Sequence, residues 1–350
     1  MSNTIKRFQN LKMTISDLKD FRYLTRAAAA ALAVCSMFLF AGCGRTVTHD
    51  YESMRSAGSV SADAVNPMVT SQSLAVREKP FAYMLCLPAD AGEGKELSGN
   101  LEYAGLFDLK RKKVIYGSGL TQRVYPASTT KLMTALVALK YGDPGQKITI
   151  SENAAYPGDD AQRLVLDPGD SMTLEQAVNY LLVFSANDIA IAIAENIGGS
   201  YDEFVDLMNK EAVALGATGT HFTNPHGLHN DEHYTTPYDL YLILNAARKN
   251  KVIREILPKS GYNTVFRGED GEDKSIAVNA TDAYLTGDTD APEGITVIGG
   301  KTGTTEPAGH CLIILSQNSS GEPYISVVMK TDSIDELYTS MNSLLSEIPN

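Results

Sequence analysis

Cysteine is scarce in this sequence, four residues in 350, and its placement removes a disulfide framework from consideration. Cys35 and Cys43 lie within and just after an apolar run near the N-terminus, leaving Cys86 and Cys311 for the body. Two cysteines allow one bridge but no scaffold, and we expect two separate thiols, with Cys311 buried on a strand. Positive charge is the second shortage: 30 Lys and Arg face 42 Asp and Glu, a net charge of −12. Residues 1–42 hold six basic and two acidic side chains, net +4, so the remainder carries −16. A body that acidic has no surplus cations with which to displace the counterions of a polyphosphate, which argues against nucleic acid as a partner. No internal repeat is visible. With 43% hydrophobic residues the chain can bury a full core, so chain-wide disorder is excluded.

What is present begins with an address. No charge occurs from Ala27 to Gly44, and Arg22 and Arg26 stand just before that stretch. A basic region, an apolar run and then small residues form the pattern of a secretory signal. The run ends Leu39-Phe40-Ala41-Gly42-Cys43, which resembles the lipobox of bacterial lipoproteins, with Phe40 where Leu is usual. That resemblance implies a signal over residues 1–42, cleavage before Cys43, and a lipid on its sulfur. The alternative is an uncleaved membrane helix, for which the uncharged stretch reaches only the low end of spanning length. Either reading places the rest outside the cytoplasm. Residues 43–80 lack sustained periodicity and read as a flexible tether, with a folded domain over 81–350.

In that domain Glu102–Phe107 and Lys113–Tyr116 are short β-rich runs around a turn, a predicted hairpin. Helices are predicted over Thr129–Tyr141, from Thr173 (the first residue of a capping box with Gln176), and over Asp188–Ile197, Tyr201–Leu215 and Thr236–Lys249. Strands return at Ser275–Val278, Ile295–Ile298, Cys311–Leu315 and Tyr324–Met329, and a helix over Ile334–Leu345 closes the chain. This is not βαβ alternation. The expected class is α+β, an antiparallel sheet flanked by helices on both sides.

Three short motifs carry chemistry. Ser128 and Lys131 are three apart at a helix start, hence on one face, and an amine desolvated among apolar neighbours can take the hydroxyl proton. Alone, such a pair is usually an N-cap followed by a surface lysine. Ser185 and Asn187 sit at a junction between two apolar helices, from which a hydroxyl and an amide can both enter a cleft; a plain helix break reads equally well. Lys301-Thr302-Gly303-Thr304 follows Gly299-Gly300 after a strand, where another backbone can approach closely.

The order Ser-x-x-Lys, Ser-x-Asn, Lys-Thr-Gly is the signature of penicillin-recognising serine enzymes. The words around it, Tyr125–Leu136, Ser185–Asp188, His221–Leu228 and Lys301–Leu312, resemble the low-molecular-mass D-alanyl-D-alanine carboxypeptidases from about Ala104 onward. The resemblance implies a β-lactamase/transpeptidase-like fold with a mostly helical subdomain. It implies removal of the terminal D-alanine of peptidoglycan stem peptides through a Ser128 acyl-enzyme, no cofactor, and β-lactams as covalent inhibitors. By it Lys131 is the base, Ser185 relays the proton to the leaving D-alanine, and Asn187 orients the acyl chain. Lys301 and Thr302 hold the terminal carboxylate, Gly303 completes that motif, and the N–H groups of Ser128 and Thr304 form the oxyanion hole. Ala186 stands where Gly is common. Many members have an Arg after the last strand that anchors the carboxylate; this chain has none beyond Arg267. An amphipathic C-terminal anchor is also common in the family, but the final helix here carries Asp335 and Glu336, with Glu347 just beyond, and little basic charge. Attachment is expected at the other end. A DD-endopeptidase, and a lipid-anchored penicillin-binding sensor without turnover, are the alternative readings.

Other chemistries fit less well. His229-Asn230-Asp231-Glu232-His233 matches a zinc pattern, but Pro225-His226-Gly227 and Pro237 flank it closely, and a zinc hydrolase needs both histidines on one helix; no metal site is expected. Gly294 to Thr302 is one residue too long for a phosphate loop, and no Gly-x-Ser-x-Gly elbow occurs. Finally, Asn153 to Leu174 contains no Glu, and its Asp159, Asp160, Asp167 and Asp170 flank Pro-Gly pairs as turn residues. Without a placed carboxylate to activate water, a penicillin adduct should be hydrolysed slowly.

Overall fold

A computed structural model of the chain describes residues 85–88, 97–158 and 161–349, all within one unit, Glu78–Asn350. The signal, Cys43, the 43–80 tether and Asp159-Asp160 lie outside the described residues. In chain order the elements are β1 (Tyr103–Asp108), β2 (Lys113–Ser118), a 3-10 turn (Ala127–Thr130), α1 (Lys131–Tyr141), β3 (Lys147–Thr149), α2 (Glu152–Ala155), β4 (Ser171–Thr173), α3 (Leu174–Val183), α4 (Asn187–Gly198) and α5 (Tyr201–Ala214). They continue as α6 (Pro237–Ala247), α7 (Lys251–Ile256), β5 (Gly261–Arg267), β6 (Asp273–Asn279), α8 (Ala283–Thr286), β7 (Ile295–Thr305), β8 (Gly309–Asn318), β9 (Pro323–Thr331) and α9 (Ile334–Leu345).

Local chemistry sets most helix starts. Thr173, Ser200, Thr236, Asn250 and Ser333 each accept a backbone N–H of the first turn that follows, satisfying donors that the helix itself cannot. The capping box at Thr173 is present, Gln176 reaching back to the Thr173 N–H at 2.8 Å. Asn250 also corrects an expectation: its cap begins α7, so the helix predicted over Thr236–Lys249 is followed by a separate short one.

The main sheet is antiparallel, in the order β2-β1-β9-β8-β7. Along β8 the alternation sorts side chains between two cores. Leu312 and Ile314 pack with Leu337, Met341 and Leu344 of α9, while Ile313 and Leu315 join the large core shared with α1 and α6. The apolar face of α9 is therefore committed to the sheet. No helix among the described residues is long and apolar enough to cross a membrane.

Helix α1 runs through the middle of the helical region, against α3, α4, α5 and α6. Beyond Leu132, Leu136 and Leu139, which recur at helical spacing, Met133, Ala135, Val137 and Ala138 are buried. A helix hydrophobic all round belongs in an interior.

One expectation was too simple. The described residues form two antiparallel sheets, the second in the order β3-β4-β5-β6. It braces the helical region from the side, with Tyr180 of α3 donating to Ile276 O at 2.7 Å. Cys86 and Cys311 are free and buried, and burial pushes their pKa values up to about 11 and about 12.

Candidate active site

The segment before α1 was predicted to begin the helix; it forms a 3-10 turn instead. Thr129 and Thr130 bend it, their hydroxyls donating to the carbonyls of Pro126 (2.7 Å) and Ala127 (2.8 Å), and Ala127 takes φ +46°. Two glycines clamp the turn. A Cβ on Gly227 would lie 1.9 Å from Ala127 O, and one on Gly303 would lie 2.8 Å from Ser128 N. Only bare backbone fits on either side of Ser128.

Lys131, in the first turn of α1, is completely buried. Its Nζ lies 2.8 Å from Ser128 Oγ, 2.7 Å from Asn187 Oδ1 and 2.6 Å from His226 O. The last two are carbonyl oxygens and can only accept. A neutral amine has two hydrogens and one lone pair, so these two bonds consume its hydrogens and leave the lone pair facing the serine hydroxyl. Burial, and then repulsion from Lys301, hold the Lys131 pKa well below the usual lysine range, against a smaller opposing pull from Asp188. The geometry accommodates an uncharged amine, and burial favours that form.

The histidine-rich loop supports this arrangement structurally. Thr223 N donates to His233 Nδ1 (3.0 Å), so Nε2 carries the hydrogen and meets Thr130 Oγ1 at 2.8 Å. Leu228 N likewise donates to His226 Nδ1 (3.1 Å), with Nε2 3.2 Å from Tyr201 Oη. Burial lowers both imidazoles to about pKa 3.

Ser185 and Asn187 arrive as expected from the junction between α3 and α4. Ser185 has φ +69° and lines the same cleft as Ser128. The junction is held by a residue that sequence reasoning missed, Gln162. Its backbone oxygen accepts Asn187 N (2.7 Å) and its side chain donates to Phe184 O. Asp188 fixes the same loop by accepting Leu164 N at 2.7 Å. Asp167 and Asp170 face away from this chemistry, bound to Lys274 at 2.7 and 2.8 Å. Of residues 161–173 only Gln162 lines the cleft, an amide rather than a carboxylate.

The third motif does not follow a strand; it is the edge strand, β7 running through it to Thr305 after a bulge at Val297/Gly299. Lys301 is buried, and its Nζ donates to Thr302 O at 2.9 Å. Burial lowers its pKa to about 7, with Asp282 opposing. Asp282 is buried as well, and its Oδ2 has no hydrogen-bond partner. Thr302 Oγ1 meets Thr281 Oγ1 at 2.6 Å, and Thr304 Oγ1 meets His310 Nδ1 at 3.1 Å. Ser128, Ser185, Asn187, Thr302, Gly303 and Thr304 all open on one cleft of about 300 Å³.

A family model described as D-alanyl-D-alanine carboxypeptidase, Peptidase_S11, matches residues 100–333. The chain belongs to that family. It is 33% identical over 239 residues to D-alanyl-D-alanine carboxypeptidase DacF of Bacillus subtilis, covering 66% of this chain and 58% of that one. It is 32% identical over 232 residues to DacA of Haemophilus influenzae, covering 64% and 55%. The match thus spans just over half the length of these curated relatives. The crystal structure of the Streptomyces K15 DD-transpeptidase is similar with a TM-score of 0.66 at 25% identity, covering 72% of this chain and 98% of that one. DacD of Francisella tularensis gives a TM-score of 0.63 at 25% identity, covering 75% and 73%. The α+β fold expected from the motifs is therefore that of this carboxypeptidase family.

Within this family member the departures noted in the sequence acquire positions. Ala186 is buried in extended conformation as the residue before α4, where its methyl fits. Among the described residues, no Arg or Lys lines the cleft.

Proposed function

We propose that the protein is a serine D-alanyl-D-alanine carboxypeptidase that removes the terminal D-alanine of peptidoglycan stem peptides. The observation that carries this reading is the buried amine of Lys131, 2.8 Å from Ser128 Oγ with its other two bonds spent on carbonyl oxygens. Ser128 attacks the penultimate D-alanine carbonyl while Lys131 takes its proton. Ser185 relays that proton to the departing amine, and Asn187 orients the acyl chain. The N–H groups of Ser128 and Thr304 stabilise the oxyanion; Gly303 brings the two backbones together. Lys301 and Thr302 serve the carboxylate end. Water then cleaves the ester with Lys131 as base again. β-Lactams acylate the same serine.

The protein works outside the cytoplasm, held to the membrane by a lipid on Cys43. The support for this lies in the N-terminal sequence alone. Cys43→Ala should leave an unprocessed precursor and abolish labelling by fatty acid; unchanged labelling would refute it.

The activity is tested by release of free D-alanine from a peptide ending in D-Ala-D-Ala. Wild type should release it, Ser128→Ala should not, and labelled penicillin should map to Ser128. Equal release by both proteins, or label on another residue, would overturn the assignment.

A further inference from the structure

A peptide ending in a free carboxylate needs a donor or cation at that end, because a carboxylate stripped of water without partners is strongly disfavoured. Among the described residues, the cleft lining contains no Arg, Lys, Asp or Glu. Lys301 stands behind the surface, 1% exposed, with its Nζ bonded to its own strand. Among the described residues, His310 is the one lining group able to carry positive charge.

His310 lies on β8 directly opposite Thr304 of β7. Cross-strand partners share a sheet face, and Thr302 shares it with Thr304 by the two-residue repeat of a strand. Two hydroxyls and an imidazole therefore stand in a row along the cleft. The 3.1 Å contact between Thr304 Oγ1 and His310 Nδ1 fixes the ring. Either tautomer of His310 fits that contact; in the one where the hydroxyl donates to Nδ1, the hydrogen sits on Nε2, which has no partner among the described residues. A donor with a free end, in a lining that has no Lys or Arg among the described residues, suits a carboxylate.

We propose that His310 reads the terminal carboxylate of the substrate through Nε2–H, together with the hydroxyls of Thr302 and Thr304. This rests on the carboxypeptidase reading and adds a specificity-determining residue to it. It also accounts for how a chain without arginine beyond Arg267 selects a carboxyl end.

The test compares two peptides that differ only in ending as D-Ala-D-Ala or as its amide, with kcat and KM measured separately. Wild type should prefer the acid. His310→Ala should raise KM for the acid by roughly tenfold or more, the worth of a charged hydrogen bond, and leave the amide unchanged. His310→Arg should restore the acid preference, and His310→Gln, a neutral donor, should fall between. A merely structural histidine would raise KM for both peptides alike, so an unchanged acid-to-amide ratio in His310→Ala overturns the proposal. If His310→Ala does not fold by thermal denaturation, the ratios of His310→Gln and His310→Arg decide: equal loss on both peptides overturns it. Wild type releasing product from neither peptide would overturn the carboxypeptidase reading, and this proposal with it.

Discussion

The two walls of the cleft each bury a lysine, and they differ in what the amine touches. On the helical wall Lys131 meets a hydroxyl and two carbonyl oxygens. On the strand wall Lys301 meets one carbonyl, with the carboxylate of Asp282 close enough to favour its charged form. Burial pushes both amines toward neutrality. Asp282 limits that effect at Lys301, whose pKa falls to about 7. Lys131 is driven further, because Lys301 repels it and Asp188, its only opposing carboxylate, is tied to Leu164 and Ile189 N–H groups. Burial fixes the direction of the shift; the nearest carboxylate fixes its extent. In the proposed function one wall is assigned the base and the other a reserve of positive charge.

The sharpest way to break this contrast is to replace each lysine by Met, which keeps most of the buried volume. Lys131→Met should reduce penicillin acylation and D-alanine release by about 10²–10⁴, the usual worth of a general base. Lys301→Met should cost roughly tenfold, mainly in KM, as loss of a charge near the substrate's carboxylate end. Equal losses in kcat from stopped-flow acylation would dissolve the distinction between the walls. The contact between the walls comes next. Gly303→Ala should slow acylation by about 10², because its methyl would displace the Ser128 backbone.

A third experiment concerns the second half-reaction. Protein pre-incubated with penicillin and then diluted should stay inhibited: the ring keeps the leaving group tethered in the path of the water that Lys131 would activate, and among the described residues no Asp or Glu lines the cleft to replace it. Recovery of D-alanine release within seconds would reveal a deacylating group elsewhere.

The smallest effect is on stability. His233 is neutral in the fold, its pKa lowered to about 3 by burial, whereas an unfolded histidine binds a proton near 6.5. The unfolded state therefore gains protons as pH falls from about 6.5 toward 3, and the histidine's contribution is lost over that window. Asp188 and Asp282, raised to about 6, act in the opposite sense, so the wild-type curve alone conceals the effect. The difference isolates it. His233→Gln should be less stable at pH 7, and the gap in denaturant unfolding should narrow by a few kcal/mol on acidification, at about 1.4 kcal/mol per pKa unit. A gap independent of pH would contradict the assignment.

Much of this was legible in the chain because it was written locally. The Thr173 capping box, the α9 boundaries and the three motifs depend on residues within a turn of one another. Elements that depend on distant partners were not legible. β3 and β4 are three residues each, too short for alternation to register, and exist through pairing with one another and of β4 with β5. β7 was read as ending at Ile298 because glycines ordinarily weaken strands; here Gly300 is required, since a Cβ would lie 1.8 Å from Ile313 O. Gln162 carries no motif, and only the fold places it beneath Asn187. The 3-10 turn at Ser128 arises from two threonine hydroxyls bonding backward, which helical spacing cannot distinguish from a first α-turn.

The strand order β2-β1-β9-β8-β7 has a consequence in time. During synthesis β1 is made more than two hundred residues before β9, the strand that must lie between it and β8. Until then β1 and β8 each present an unpaired edge, and Ile334, Leu337 and Tyr338 of the cleft do not yet exist. Ser128, made early, has no complete cleft around it while the polypeptide is still growing. A nascent protein stalled short of β9 would, on the proposed function, be a target for chaperones and proteases rather than a slower enzyme.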